Sequence, residues 1–342
     1  MNSQLFNAGG HLWRESAARR CGPWLIVLFL ISMTCASKAY GNVSLLIEEP
    51  YGFFGSINPT GHSAIYLNRV CAESPTVLRR CQPGETGVVI SRISRIRSFD
   101  WIAIPLLPYL YAVEQVQDVP EWAERASVEE LRMAYAEAHL MSLASANKAY
   151  DAKNVWLQLL GVAYIRKIYS FEIATTDEQD DQLIDEYNGR ANESHFNLFT
   201  NNCADFSKRL LNFYYPHAVH RSFTADVAIT TPKQIAKSLV TYAHRNDGLE
   251  LSEIVIPQVP GTIPRSHPPR GVVESLLKTM KYAVPIAVFQ PYFLAGIAVT
   301  YLTSGRFEFA KNVPVIPVTD QEEALFSGKS DFSIKGATPL SP

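Results

Sequence analysis

The stretch Thr200-Asn-Asn-Cys-Ala-Asp-Phe206 constrains this chain more than any other. Phe206, Leu210, Leu211 and Phe213 follow at helical spacing and Pro216 marks a stop, so a helix is predicted to begin at about residue 203. Asn is a favoured N-cap, and an acid three residues on gives Asn202 and Asp205 the form of a capping box. Cys203 then becomes the first residue of the helix, beside backbone N–H groups that have no intrahelical partner. The positive end of the helix dipole favours thiolate over thiol and lowers the pKa from about 8.5. The same N–H groups are placed to hold the oxyanion that forms when a thiolate attacks a carbonyl. The alternative for this position is a cysteine packed as a small hydrophobe. His195 to Thr200, just upstream, reads as a strand running into the helix.

The N-terminus decides what the other cysteines do. Arg14, Arg19 and Arg20 stand against Glu15, then an apolar run from Trp24 to Thr34 ends at the small residues Ser37 and Ala39. This is the layout of a secretory signal over residues 1–39, with an uncleaved anchor as the alternative. Export to a periplasmic or extracellular space leaves Cys71, Cys81 and Cys203. In an oxidising compartment Cys71 and Cys81 close a short loop, and Cys203 is left as an odd thiol. Three free buried thiols are the other arrangement.

Between these points the pattern alternates. Val43–Ile47 and His62–Leu67 read as strands, the second with His62, Ala64 and Tyr66 on one face after a Gly-rich turn. Gly87–Arg92 is a third strand, and Arg92, Arg95 and Arg97 read as a solvated edge. From about 120 to 190 a helical insertion is expected. It has a capping box at Ser127–Glu130, an apolar and aromatic stretch over 150–175 read as helix or loop, and an acidic amphipathic helix from Asp177 to about Tyr187. Thr231-Pro232 opens one more helix. Five prolines between Pro257 and Pro269 suggest a linker over 257–281 that closes a domain of residues 40–256. Residues 282–305 carry no charge and are expected as an apolar C-terminal helix, long enough to span a bilayer. An interfacial or buried helix is the rival reading, because Pro285 and Pro291 interrupt the run and the flanking charge is wrongly placed for an exported chain. A loose tail follows over 306–342.

Composition removes other classes. With 31 Lys+Arg against 33 Asp+Glu, 47% hydrophobic and 19% charged residues, the chain is neither an acidic disordered segment nor a basic arm. No zinc-finger spacing or RNA-binding signature occurs, which argues against nucleic acid as a partner. A metal held by His62, Cys203 and His195 would lack any close ligand spacing, and no cofactor is expected.

A thiolate nucleophile needs a base, normally histidine. His217, His220, His244 and His267 lie in polar or Pro-rich surroundings, His139 sits in a helix, and His195 is a strand length away from Cys203. His62, opening an apolar strand after a glycine, is the position from which a ring can face a helix N-terminus.

Gly61-His62-Ser-Ala-Ile-Tyr-Leu followed far downstream by Asn202-Cys203-Ala-Asp-Phe206 resembles the circularly permuted papain-like cysteine hydrolases of the NlpC type, a group that includes lecithin:retinol acyltransferase-like proteins. The resemblance covers about residues 43–215. It implies an α+β fold, an antiparallel sheet packed against a helix bearing the cysteine at its N-terminus. It also implies Cys203 as nucleophile, His62 as base, and a third polar residue near the end of the next strand. That strand end, Ile90-Ser91-Arg92, offers neither histidine nor carboxylate, so Ser91 takes the place. The implied activity is acyl transfer through a thioester on a cell-envelope peptide amide. Alternatives are a lipid acyltransferase or phospholipase of the same fold, associated with the membrane, or an inactive binding module.

Overall fold

The computed structural model describes residues 41–52, 59–93, 99–143, 155–223, 225–246, 248–309 and 313–315. The secretory signal expected at 1–39, Arg95 and Arg97, and most of the expected loose tail lie outside them.

Short, mostly apolar runs buried on both faces build the first strands. β1 (Gly41–Glu48) pairs antiparallel with β2 (His62–Leu67). β3 (Val70–Ser74) and β4 (Val77–Arg80) form a separate hairpin, and the Cys71–Cys81 disulfide closes its base with Cα atoms 4.9 Å apart. β5 (Val88–Ser91) then pairs with β2, and β6 (Ile102–Pro105) with β5. A short helix, α1 (Leu106–Tyr111), follows at once, and α2 spans Arg125–His139. Helix α2 starts before the Ser127–Glu130 box, with extended Glu124 as its cap and no side-chain bond there.

The stretch expected as helix or loop over 150–175 ends in a strand. β7 (Ile168–Thr175) pairs with β1 on one side and with β8 (Leu251–Ile256) on the other, so the insertion is not wholly helical. Both faces of the sheet are covered, so Ile168 and Tyr169 are both buried and the strand shows no clean polar alternation. The sheet order is β6-β5-β2-β1-β7-β8, and every pairing is antiparallel. Three capped helices complete the domain: α3 (Asp177–Asn188), α4 (Cys203–Tyr214) and α5 (Pro232–Arg245).

Val43, Leu45, Ile47, Ile65 and Leu67 face α4 and α5, where Phe206, Leu210, Leu211, Ile235 and Leu239 complete one core. Leu46, Ala64, Tyr66 and Val89 face the other way, onto α1, α2 and the turns around Leu157–Tyr164. The fold is therefore α+β, an antiparallel sheet packed against the helix that carries Cys203 at its start.

Two expectations for the C-terminal part change. Residues 257–271 lie along the domain: Val259 N–H donates to the Ala163 carbonyl (2.9 Å), Ser266 Oγ to Glu49 Oε2 (2.6 Å) and Arg270 N–H to the Pro59 carbonyl (2.8 Å). α6 (Val272–Lys278) follows directly. The single apolar helix expected over 282–305 is not formed. The chain makes two short helices, α7 (Met280–Phe289) and α8 (Pro291–Thr300), broken at Gln290 because Pro291 has no N–H to continue the ladder. Among the described residues, no helix is long and apolar enough to cross a membrane.

Candidate active site

The start of α4 is fixed by its own side chains. Asn202 Oδ1 accepts from Asp205 N–H (3.0 Å), and the Asp205 carboxylate accepts from Asn202 N–H (3.3 Å), a reciprocal capping box. Asn202 Nδ2 also donates to the carbonyls of Leu198 (2.9 Å) and Thr230 (3.0 Å), tying two loops to the helix start. Asp205 is held in turn by the Thr230 hydroxyl (2.5 Å) and the Arg221 guanidinium (2.7 Å). Cys203, the only free cysteine among the described residues, is half-buried at the first position of the helix.

The segment before it differs from expectation. His195–Thr200 is a turn rather than a strand: Asn197 and Asn201 form one isolated bridge, and Asn197 Oδ1 accepts from Phe199 N–H (2.9 Å) and Thr200 N–H (3.2 Å). A short polar side chain that bonds its own backbone competes with strand pairing. His195 stays exposed there. Arg92, read as a solvated edge, is fully buried, with its guanidinium bonded to the Asp100 carbonyl (3.0 Å) and to Asn201, and lying over the Phe206 ring.

His62 opens β2 immediately after Gly61, whose φ of +78° and approach to β1 leave no room for a side chain. A β-carbon at Gly61 would run into the Glu48 carbonyl oxygen. The tight entry sets the imidazole facing the Cys203 thiol. The Ser63 backbone N–H and hydroxyl also face the sulfur, and Ser207 Oγ donates to Ser63 Oγ at 3.1 Å. On the far side of the ring, His62 Nε2 lies 2.8 Å from Ser91 Oγ. The structure thus brings Cys203, His62, Ser91 and the Asn202 cap into one place.

The charges follow from these contacts. Burial pushes the Cys203 thiol up, but the facing His62 and the Ser63 hydrogen bonds outweigh it and bring the thiol below its usual range. Burial pulls the His62 imidazole down, yet Cys203 and Glu48 outweigh that and raise it, with Arg166 opposing. The two shifts run in the directions that favour thiolate and imidazolium over thiol and neutral ring.

Three partners were not evident in the sequence: Glu48, Tyr109 and Ser63. Glu48 is buried, is the Cα partner of His62 across the β1–β2 pairing, accepts from the Tyr109 hydroxyl, and meets Arg166 Nη1 at 3.2 Å through Oε2. Its one sequence signal is an acid directly after the apolar run Leu45–Ile47.

No family model and no curated protein matches this chain. Among solved structures, the crystal structure of the type VI secretion system effector TseH is similar over 63% of this chain and 100% of its own, at 12% identity and a TM-score of 0.29, a likeness too slight to bear on fold or function.

Proposed function

We propose that the chain is a thiol hydrolase of the permuted papain-like kind, acting outside the cytosol on a cell-envelope peptide amide. The observation that carries this reading is the contact between the His62 ring and Cys203 at the capped start of α4. His62 takes the thiol proton, and the sulfur attacks the amide carbonyl carbon to give a tetrahedral oxyanion. Free N–H groups at the first turn of α4 stabilise that oxygen. Collapse breaks the C–N bond, His62 protonates the departing amine, and a thioester remains. Water, deprotonated by His62, attacks the thioester and releases acid and thiol. Ser91, bonded to Nε2, serves as the orienting polar group. The Cys71–Cys81 disulfide supports an oxidising compartment.

A lipid acyl ester as substrate is favoured by one feature. Leu198, Phe199, Phe223 and Val227 are exposed on the two loops that Asn202 ties to the helix start, an apolar rim suited to an acyl chain. Incubating the purified protein with muropeptides and with phospholipid vesicles decides between the substrates. Amide cleavage by the parent and none by Cys203→Ala is the expected result. Equal turnover by parent and Cys203→Ala would overturn the thiol mechanism for either substrate.

A further inference from the structure

A cysteine–histidine pair needs its ring held in one tautomer, and the chain of contacts behind His62 does this over a longer distance than Ser91 alone. Ser91 Oγ meets His62 Nε2 at 2.8 Å and faces the Tyr109 hydroxyl on its other side. Tyr109 in turn donates to Glu48 Oε1, and Glu48 Oε2 meets Arg166 Nη1 at 3.2 Å. Ser91, Tyr109 and Glu48 are all buried, so no solvent substitutes for these partners.

The direction of the chain is forced by its end. A carboxylate can only accept, so Tyr109 donates to it. The Tyr109 oxygen then has only acceptor capacity left, so Ser91 donates to Tyr109. The Ser91 oxygen is left to accept, and the group offering a proton there is Nε2–H of His62. Nδ1 thereby becomes the nitrogen that carries a lone pair in the neutral ring and receives the proton from sulfur. Burial pushes the Tyr109 hydroxyl far above its usual range, which keeps it a donor.

We infer that Glu48 is the positioning carboxylate of the Cys203–His62 pair, acting through the hydroxyls of Tyr109 and Ser91. The inference rests on the thiol-hydrolase reading above. It fills the vacancy left at the end of β5, where the sequence has a serine: the acid is supplied from β1 and relayed by two hydroxyls. Burying a carboxylate is costly, and an ion pair in such a place is weak evidence for stability alone, so a role in holding the ring accounts for Glu48 better than packing does. The charged and titratable groups facing His62 are Cys203, Glu48 and Arg166.

The test needs no substrate. The rate of iodoacetamide alkylation at Cys203 is measured against pH in the full chain and in Ser91→Ala, Tyr109→Phe, Glu48→Gln and His62→Ala. Tyr109→Phe keeps the ring and cuts the relay, so it remains informative if Glu48→Gln, which also unpairs Arg166, fails to fold. The expected result is an upward shift of the thiolate midpoint by about one unit, hence about tenfold slower alkylation on the acidic limb, in each relay variant. The double variant Ser91→Ala/Tyr109→Phe is expected to match the more affected single variant, as members of one chain are not additive. If Tyr109→Phe and Glu48→Gln keep the parental profile while His62→Ala moves it, the relay is refuted and the pair stands. If His62→Ala also leaves the profile in place, the relay and the thiol-hydrolase reading fall together.

Discussion

Glu48 and His62 are direct partners across the β1–β2 pairing, which sets a buried carboxylate beside the imidazole that faces Cys203. Residues opposite each other on antiparallel strands point to the same side of the sheet, so the acid lies where it raises the imidazole. Two midpoints follow. Against the opposing effect of burial, the thiol titrates below its ordinary range and the imidazole above its own, each moved mainly by the other.

Alkylation needs only the thiolate, so its rate should climb with pH through a midpoint below the ordinary value of about 8.5. Amide hydrolysis needs both forms, so it should follow a bell whose alkaline limb lies above about 6.5, the unperturbed imidazole value. His62→Ala removes the largest lowering influence and leaves burial dominant, so its alkylation midpoint should rise above that of the parent. A parental midpoint near 8.5 that His62→Ala does not move would point instead to a binding module without catalysis.

Gly61→Ala should damage both stability and the site. The position combines φ of +78° with contact against the Glu48 carbonyl, so a methyl group both strains the backbone and pushes β2 from β1 at His62. The expected cost is about 1–3 kcal/mol, read as a lowered midpoint in thermal or urea unfolding. Alkylation of Cys203 in the folded variant should lose its acid-shifted profile, since the ring is displaced with its strand. A far surface control, Gly84→Ala, sits at φ of +90° with open space around it and should leave that profile unchanged.

The cap of α4 gives a prediction in acid. Burial pushes Asp205 up, but bonds from Thr230, Arg221 and the Asn202 N–H outweigh it and hold its carboxyl below the usual range. A carboxylate depressed in the folded state stabilises the fold above the unfolded value of about 3.9, and that contribution is lost as pH falls through the folded value. Asp205→Asn should therefore cost about 1–3 kcal/mol at neutral pH and progressively less in acid, because the parent loses the same charge there. Asn202→Ala should cost about 1–2 kcal/mol for the cap. Unfolding of parent and variants at neutral and acidic pH measures both, and a constant difference for Asp205→Asn across that range would contradict the assignment.

What the sequence made legible depended on how local the cause was. The capped starts of α4 and α5 are written in Asn202, Asp205, Thr231 and Pro232, each acting within a few residues of itself. β1, β2 and β5 were visible for the same reason. β7 was not, because its apolar and aromatic residues continue a longer stretch of the same character from about residue 155, which hides where the strand begins. Residues 195–200 carry aromatic alternation that suggests a strand, but the Asn197 side chain turns the backbone instead. At the site, Cys203, His62 and Ser91 lay in short motifs. Glu48, Tyr109 and Arg166 meet only after the sheet is assembled, and Arg92 is buried by a loop about a hundred residues downstream.

The Cys71–Cys81 bond offers a control on the other side of the argument. It closes the β3–β4 hairpin, a sheet separate from the one that carries His62 and Ser91, over a sequence separation of 10 residues. Closing so short a loop restricts the unfolded chain by about 2–3 kcal/mol in the chain-entropy view. The double variant Cys71→Ser/Cys81→Ser should be less stable by that amount, read as a lower urea midpoint. Its Cys203 alkylation profile at low urea should match the parent, since none of the groups that shift the thiol belongs to the hairpin. A changed profile in the folded double variant would mean that the hairpin helps to set the geometry of the cysteine–histidine pair.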